Sequence, residues 1–169
     1  MKKIIPFFVI IFILAACNKP VDSEEYQGKK LCIGVIGLAP EVREKEKIDF
    51  DEILFSDIQN KKIISQYDAI IITEENLSEA SEPIYKAIYK ESSIPFFFIK
   101  SKKSHIPFTT EDISYDDALD FNNGEYATGI LYSDNNFKSW AYGLYNNVEN
   151  KENIEDVYSR IFQTISVST

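Results

Sequence analysis

Three runs decide the fold: Leu31, Cys32, Ile33, Gly34, Val35, Ile36 and Gly37; then Ala69, Ile70, Ile71, Ile72 and Thr73; then Ile94, Pro95, Phe96, Phe97, Phe98 and Ile99. Each is apolar residue after residue, without the alternation of a strand that keeps one face in water. Strands covered on both faces read this way, and such strands belong to parallel sheets lying between helices. A shorter run, Glu52 to Phe55, adds a further strand between the first two.

The segments between the runs supply the helices. Leu77, Ala80, Ile84, Ala87 and Ile88 recur at spacings of three and four, with Ser81 as a cap and Pro83 in the first turn, which predicts a helix over about Glu82 to Glu91. Pro40 and Glu41 are placed to open a short helix after the first strand, and Asp57 to Ser65 a second one before Ala69. Further on, Tyr126 to Ser133 and Phe137 to Tyr145 are rich in aromatic and β-forming residues around Asp134, Asn135 and Asn136, the pattern of an antiparallel hairpin. At the end Ile154, Val157, Tyr158, Ile161, Phe162 and Ile165 form an apolar stripe at helical spacing, which predicts a helix packed on the sheet. The expected class is α/β: a three-layer, mostly parallel sheet, Rossmann-like or flavodoxin-like, with an antiparallel edge hairpin, formed by residues 31–169 as a single domain.

Ahead of that domain stand Lys2 and Lys3, an apolar stretch from Ile4 to Leu14, and then Ala15, Ala16 and Cys17. A positive region, a short apolar region and small residues at a cleavage point have the order of a secretory signal. The stretch stops at Asn18, Lys19 and Pro20, short of the roughly 20 residues that span a bilayer. Leu14, Ala15, Ala16 and Cys17 resemble the lipobox of bacterial lipoproteins at all four positions. The resemblance implies that residues 1–16 are removed as a signal peptide and that the Cys17 thiol carries a diacylglyceryl group. Two acyl chains hold where one attaches only marginally, so the expected location is the extracytoplasmic face of a cell membrane. Residues 17–30 then read as the lipidated cysteine and a flexible polar tether, with Pro20, Asp22, Ser23, Glu24, Glu25 and Gly28 among them. The Lys, Ile and Asn usage points to a Gram-positive organism, and the domain resembles small uncharacterised envelope lipoproteins of such bacteria.

Without residues 1–16 the chain has 16 cations against 27 acids, a net charge of −11. That balance argues against nucleic acid and against adhesion to anionic lipid heads, both of which need clustered Lys or Arg. Membrane contact is expected through the lipid alone, with an envelope protein as a further partner. Cys32 is left as the one free thiol and reads as a small buried hydrophobe.

In open α/β sheets ligands bind beyond the carboxyl ends of the strands, where the loops Gly37 to Arg43, Glu74 to Ser81 and Lys100 to Pro107 are expected to meet. Arg43, Lys100, Lys102, Lys103 and His105 are the cations of those loops and the candidate residues for a small anionic ligand. Solvated loop lysines are the competing reading. Gly34 and Gly37 lack the third glycine and the lysine of a phosphate loop. His105 is the single histidine, no Gly-x-Ser-x-Gly elbow is present, and no Cys or His pair has zinc spacing. The acids Glu111, Asp112, Asp116, Asp117, Asp120 and Glu125 fail the calcium-loop spacing, with Glu125 and Leu131 where Gly and Glu are required. Tyr126, Tyr132, Trp140, Tyr142 and Tyr145 are expected to divide between the core and a stacking surface. The expectation is a non-enzymatic interaction or accessory module without cofactor or metal, with an anionic-ligand-binding lipoprotein as the alternative.

Overall fold

The computed structural model describes residues 23–120, 124–133 and 136–168. The signal peptide, Cys17 and the hairpin turn at Asp134 and Asn135 lie outside the described residues.

Six strands form one sheet in the order β2-β1-β3-β4-β5-β6: β1 Leu31–Ile36, β2 Ile48–Glu52, β3 Ala69–Ile72, β4 Phe96–Ile99, β5 Glu125–Ser133 and β6 Asn136–Gly143. The first four are parallel, and β5 and β6 run antiparallel at one end. The fold is thus mixed α/β, mostly parallel, with the antiparallel hairpin at an edge. β1 is flanked by β2 and β3, so the chain leaves it first to one side and then to the other.

Register divides the side chains between two layers. One face carries Leu31, Ile33 and Val35 of β1, Ala69 and Ile71 of β3, and Phe97 and Ile99 of β4, under α6, Lys151–Ser168. The stripe predicted for α6 is the one it buries: Val157, Tyr158, Ile161, Phe162 and Ile165 are all in this core, with Ile154 at its margin. Gly129 of β5 leaves room here for stacked rings. A Cβ on it would stand 2.6 Å from Phe97 and 3.2 Å from Trp140, whose rings are 6.1 Å apart.

The opposite face carries Ile70, Ile72, Phe96, Phe98 and Ile130 beneath α1 Phe55–Ile58, α2 Lys61–Ile64, α3 Leu77–Ala80, α4 Pro83–Glu91 and α5 Ile106–Thr109. α4 forms where expected, and of the predicted stripe Leu77 and Ala80 are buried in α3 and Ile88 packs against the core, but the inward side of α4 is otherwise different. Tyr85, Lys86 and Tyr89 are inside, whereas Ile84 is 51% exposed and Ala87 faces solvent. The rings win because they offer more apolar area and partners: Tyr85 lies 4.5 Å from Phe55, and Tyr89 lies 4.6 Å from Phe96 and 5.5 Å from Phe98.

Other expectations need correction. The second strand is Ile48–Glu52, not Glu52 to Phe55; Asp49 and Asp51 face solvent at the sheet edge, which gave the sequence no continuous apolar run. No helix opens at Pro40 and Glu41, where the chain is irregular. The stretch from Asp57 to Ser65 is broken into α1 and α2. Cys32 is half-buried beside the β2 acids rather than enclosed.

The end of the expected tether lies on the domain. Tyr26 is buried against Phe162, with ring centroids 6.1 Å apart, and its N–H donates to Glu44 at 3.1 Å. Arg43 donates to the hydroxyl of Ser23, the carbonyl of Glu24 and the hydroxyl of Ser159 on α6, at 3.0, 3.1 and 2.7 Å. Ser159 in turn donates to the Glu44 carboxylate. Residues 23–30 therefore form an arm beside α6. The polar composition of the segment concealed the one ring that pins it.

Candidate functional site

At the carboxyl edge the loops expected to meet do so in pairs. The Ile36 carbonyl at the end of β1 accepts from the Thr73 hydroxyl and the Asn76 amide, at 3.1 and 3.3 Å, which ties the first loop to the second. Gly37 makes this closeness possible. Its φ is +116°, and a Cβ there would collide with the Thr73 oxygen at 1.8 Å. Lys100 reaches Glu74 at 3.8 Å, joining the third loop to the second, and forms a closer pair with Glu149 at 2.7 Å. Those carboxylates, Glu149 first, raise its pKa against the effect of burial.

The candidate cations Arg43, Lys100, Lys103 and His105 each have neighbours of their own within the domain. Arg43 turns to the arm and α6, as described. The Lys103 ammonium donates to the Tyr115 and Asp116 carbonyls and sits 4.8 Å from the Tyr115 ring centre. Lys102 is exposed. His105 lies 5.5 Å from the Phe137 ring, with the Ser104 hydroxyl 3.2 Å from Nδ1. Burial lowers its pKa below the ordinary 6.5, against an opposing pull from Glu125.

What the carboxyl edge presents instead is a cleft of about 650 Å³ between the ends of β1 and β2, with Ile36, Ile53 and Phe55 in its wall and Glu52, Asn76 and Glu79 among its polar groups. The carboxylates are held in place. Glu52 accepts from the Ala39 N–H at 3.2 Å, Glu79 from the Tyr85 hydroxyl at 3.2 Å, and nearby Glu75 from the Thr73 hydroxyl at 2.6 Å. That last bond is the main reason the Glu75 pKa is lowered. Leu38 and Leu54, on the loops that leave β1 and β2, are 77% and 69% exposed. Sequence reading placed Leu38, Glu75, Asn76 and Glu79 in loops at this edge but missed Glu52 and Leu54, because it began the second strand at Glu52. A strand ending at Glu52 would have marked Glu52 and Leu54 as carboxyl-edge residues.

The remaining candidates are mostly occupied with structure. Tyr126 and Tyr142 are core residues; Trp140 stacks on Phe97, and Tyr132 lies 4.8 Å from Phe137, leaving Tyr145 exposed. Glu111 pairs with Lys90 at 2.9 Å, Asp116 accepts from Ser78, and Asp117 accepts from Ser114. Among the described residues no group of three or more His, Cys, Asp or Glu is placed to hold a metal ion. The Cys32 thiol has its pKa raised by burial and then by Asp51, Asp49 and Asp68, which keeps it protonated. A second hollow, of about 270 Å³, is lined by Ile58 and Ile64 at the ends of α1 and α2 and by Ile88 and Ile94 on and after α4.

Residues 1–18 match the prokaryotic membrane lipoprotein lipid attachment site. The chain carries a lipoprotein attachment site. The match covers Leu14 to Cys17 and supports the signal peptide and lipid attachment, which implies a membrane-anchored lipoprotein. No curated protein and no solved structure matches the chain. Among the described residues no helix is long and apolar enough to cross a membrane.

Proposed function

We propose that this lipoprotein is a non-enzymatic interaction module, held by a diacylglyceryl group on Cys17 at the extracytoplasmic face of a membrane, whose partner is an envelope protein. The observation that carries the reading is the carboxyl edge, where Leu38 and Leu54 stand exposed beside an open cleft with oriented carboxylates. Exposed apolar side chains with a polar surround are the features of a protein contact. The cations supply the contrast: Arg43, Lys100 and Lys103 already have partners within the domain, which favours a structural part for them over an anion site.

The strand order supports placing the contact here. Flavodoxin-like sheets run 2-1-3-4-5 and bind at the point where the chain reverses direction across the sheet. This sheet shares that order, with β5 inverted, and its cleft lies beside β1, where the chain makes that reversal. The Lys, Ile and Asn usage supports a Gram-positive envelope as the setting.

A photo-crosslinking residue placed at Leu54 of the full chain on intact cells is expected to give a discrete protein adduct. The same residue at Val167, which is 74% exposed near the end of α6, is the comparison. Equal or absent adducts at the two positions would remove the carboxyl edge as the contact.

A further inference from the structure

The two edges of the sheet are chemically unlike. β2 ends one side with the sequence Ile48, Asp49, Phe50, Asp51, Glu52, and its three acids are exposed. Charges of one sign along an edge keep other strands away. β6 ends the other side with Asn136, Phe137, Lys138, Ser139, Trp140, Ala141, Tyr142 and Gly143. It has one charge, no proline, and exposed residues from Asn136 to Ser139 and again at Ala141. Among the described residues β5 is its only strand partner. An eight-residue edge this open, in a chain so rich in acids, is a ready template for another strand.

The geometry points to a second copy of this chain as that strand, with two β6 edges pairing antiparallel into one continuous sheet. The Trp140 carbonyl accepts from the Thr128 hydroxyl of β5 at 3.0 Å and so faces inward, and alternation turns the backbone groups of Phe137, Ser139 and Ala141 outward. Pairing through those three centres the contact on Ser139 against Ser139 of the partner subunit. Phe137 then lies opposite Ala141 of the partner subunit. Lys138 lies opposite Trp140 of the partner subunit, a cation beside a half-exposed indole instead of beside another cation. No like charges face each other, whereas antiparallel self-pairing of β2 centred on Phe50 sets Asp49 opposite Asp51.

The position of the arm selects the same arrangement. Residues 23–30 lie on the α6 face, and only Asn18 to Asp22 separate Ser23 from Cys17, a reach of roughly 20 Å when extended. Antiparallel strands of one sheet are related by a two-fold axis along the sheet normal, so both α6 faces, both arms and both lipid anchors point to one side. A parallel pairing about an axis along the strands turns one arm away from the bilayer. Confinement to a single membrane also raises the effective concentration of each copy for the other. This pairing uses a different surface from the carboxyl-edge cleft and stands apart from that proposal.

The test uses the full-length, lipidated chain in native membranes, in a Cys32→Ser background, with a short thiol-directed crosslinker. Ser139→Cys is expected to give a band of twice the protomer mass and Asp49→Cys none, and adding Lys138→Glu should weaken the Ser139→Cys band. Differently tagged copies bearing Phe137→Cys and Ala141→Cys should crosslink to each other more than either does to itself. That arm fixes the register without any change at Ser139. Crosslinking at Ser139→Cys no stronger than at Asp49→Cys, an adduct of another mass, or no preference for the mixed pair would overturn pairing of two copies through β6.

Discussion

On one face of the sheet a single helix of 18 residues, α6, lies beside the arm; on the other, five helices of four to nine residues share the cover. α6 presents a continuous stripe and needs little help to bind the sheet. Helices of four residues cannot stand alone, and their layer is stitched by polar groups. The Tyr89 hydroxyl donates to the Ala80 carbonyl at 2.9 Å, the Ser81 hydroxyl to the Ser78 carbonyl at 2.7 Å, and the Tyr115 N–H to the Ser81 hydroxyl at 2.8 Å. Lys86 is the largest stitch: its ammonium, inside the protein, donates to the Thr110, Glu111 and Ile113 carbonyls at 2.7, 3.3 and 2.7 Å. One layer is thus carried by one long apolar stripe with polar bonds along the arm, and the other by short helices whose apolar area is joined by oriented hydrogen bonds. The layers should fail differently.

Truncating the centre of the α6 layer is the strongest way to break it. Phe162 is fully buried and its ring meets those of Tyr26, Phe50 and Tyr158 at 6.1, 6.3 and 6.1 Å. Phe162→Ala should cost about 3–5 kcal/mol, the range for emptying a large ring from a core. It also removes the surface on which Tyr26 rests, so the arm should become open to limited proteolysis before the sheet does. A urea midpoint close to wild type would show that the arm and α6 close around the gap.

The same contrast explains what could be read from the sequence. The α6 stripe and the runs of β1, β3 and β4 were legible because each buries nearly every apolar residue it has, so pattern and burial coincide. β2 was misplaced because half of it faces water at an edge, and its acids look like a loop. On the patchwork face burial follows ring size and hydrogen-bond reach instead of spacing, which is why Tyr85 and Tyr89 displaced Ile84 and Ala87. Loop cations pointed to a site by charge alone, yet Lys100 and Lys103 meet acids and carbonyls of the same chain, which spacing does not reveal. The arm went unseen for the same reason, since one tyrosine among polar residues makes no pattern.

Lys86 sharpens the contrast from the other side. Burial lowers its pKa, with Asp112 and then Glu111 acting in the opposite direction, yet three carbonyls are satisfied through its ammonium. Lys86→Met keeps the length of the stem and removes the charge, so it separates the stitch from the packing. The expected loss is about 2 kcal/mol, the scale of hydrogen bonds to a charged group whose partners are left unpaired. The measurement is the urea midpoint, read beside hydrogen exchange of residues 110–113, which should lose protection first. Stability equal to wild type would mean that water replaces the ammonium and that this layer, too, is held by apolar area.

His105 gives the smallest effect, and its sign follows from its place on the patchwork face. In the folded chain burial holds its pKa below the 6.5 of a free side chain, although Glu125 pulls the other way. The folded state therefore binds the proton less readily than the unfolded chain does. Above 6.5 both forms are neutral and the full stability is present; as pH falls through 6.5 the unfolded chain takes up its proton first, and stability is lost until pH passes the folded pKa as well. His105→Gln removes that linkage while keeping a polar side chain near the Ser104 hydroxyl and the Phe137 ring. Comparing urea midpoints at about pH 7.5 and about pH 5.5, on either side of the ordinary histidine pKa, the wild type should lose slightly more than the variant. The difference between the two slopes is the informative quantity, since Glu75 and Glu111, whose pKa values are lowered in the fold, contribute an acid slope common to both proteins. Identical slopes would mean that the imidazole is as free to take a proton in the folded chain as in water, and that the α5 end of this layer opens to solvent.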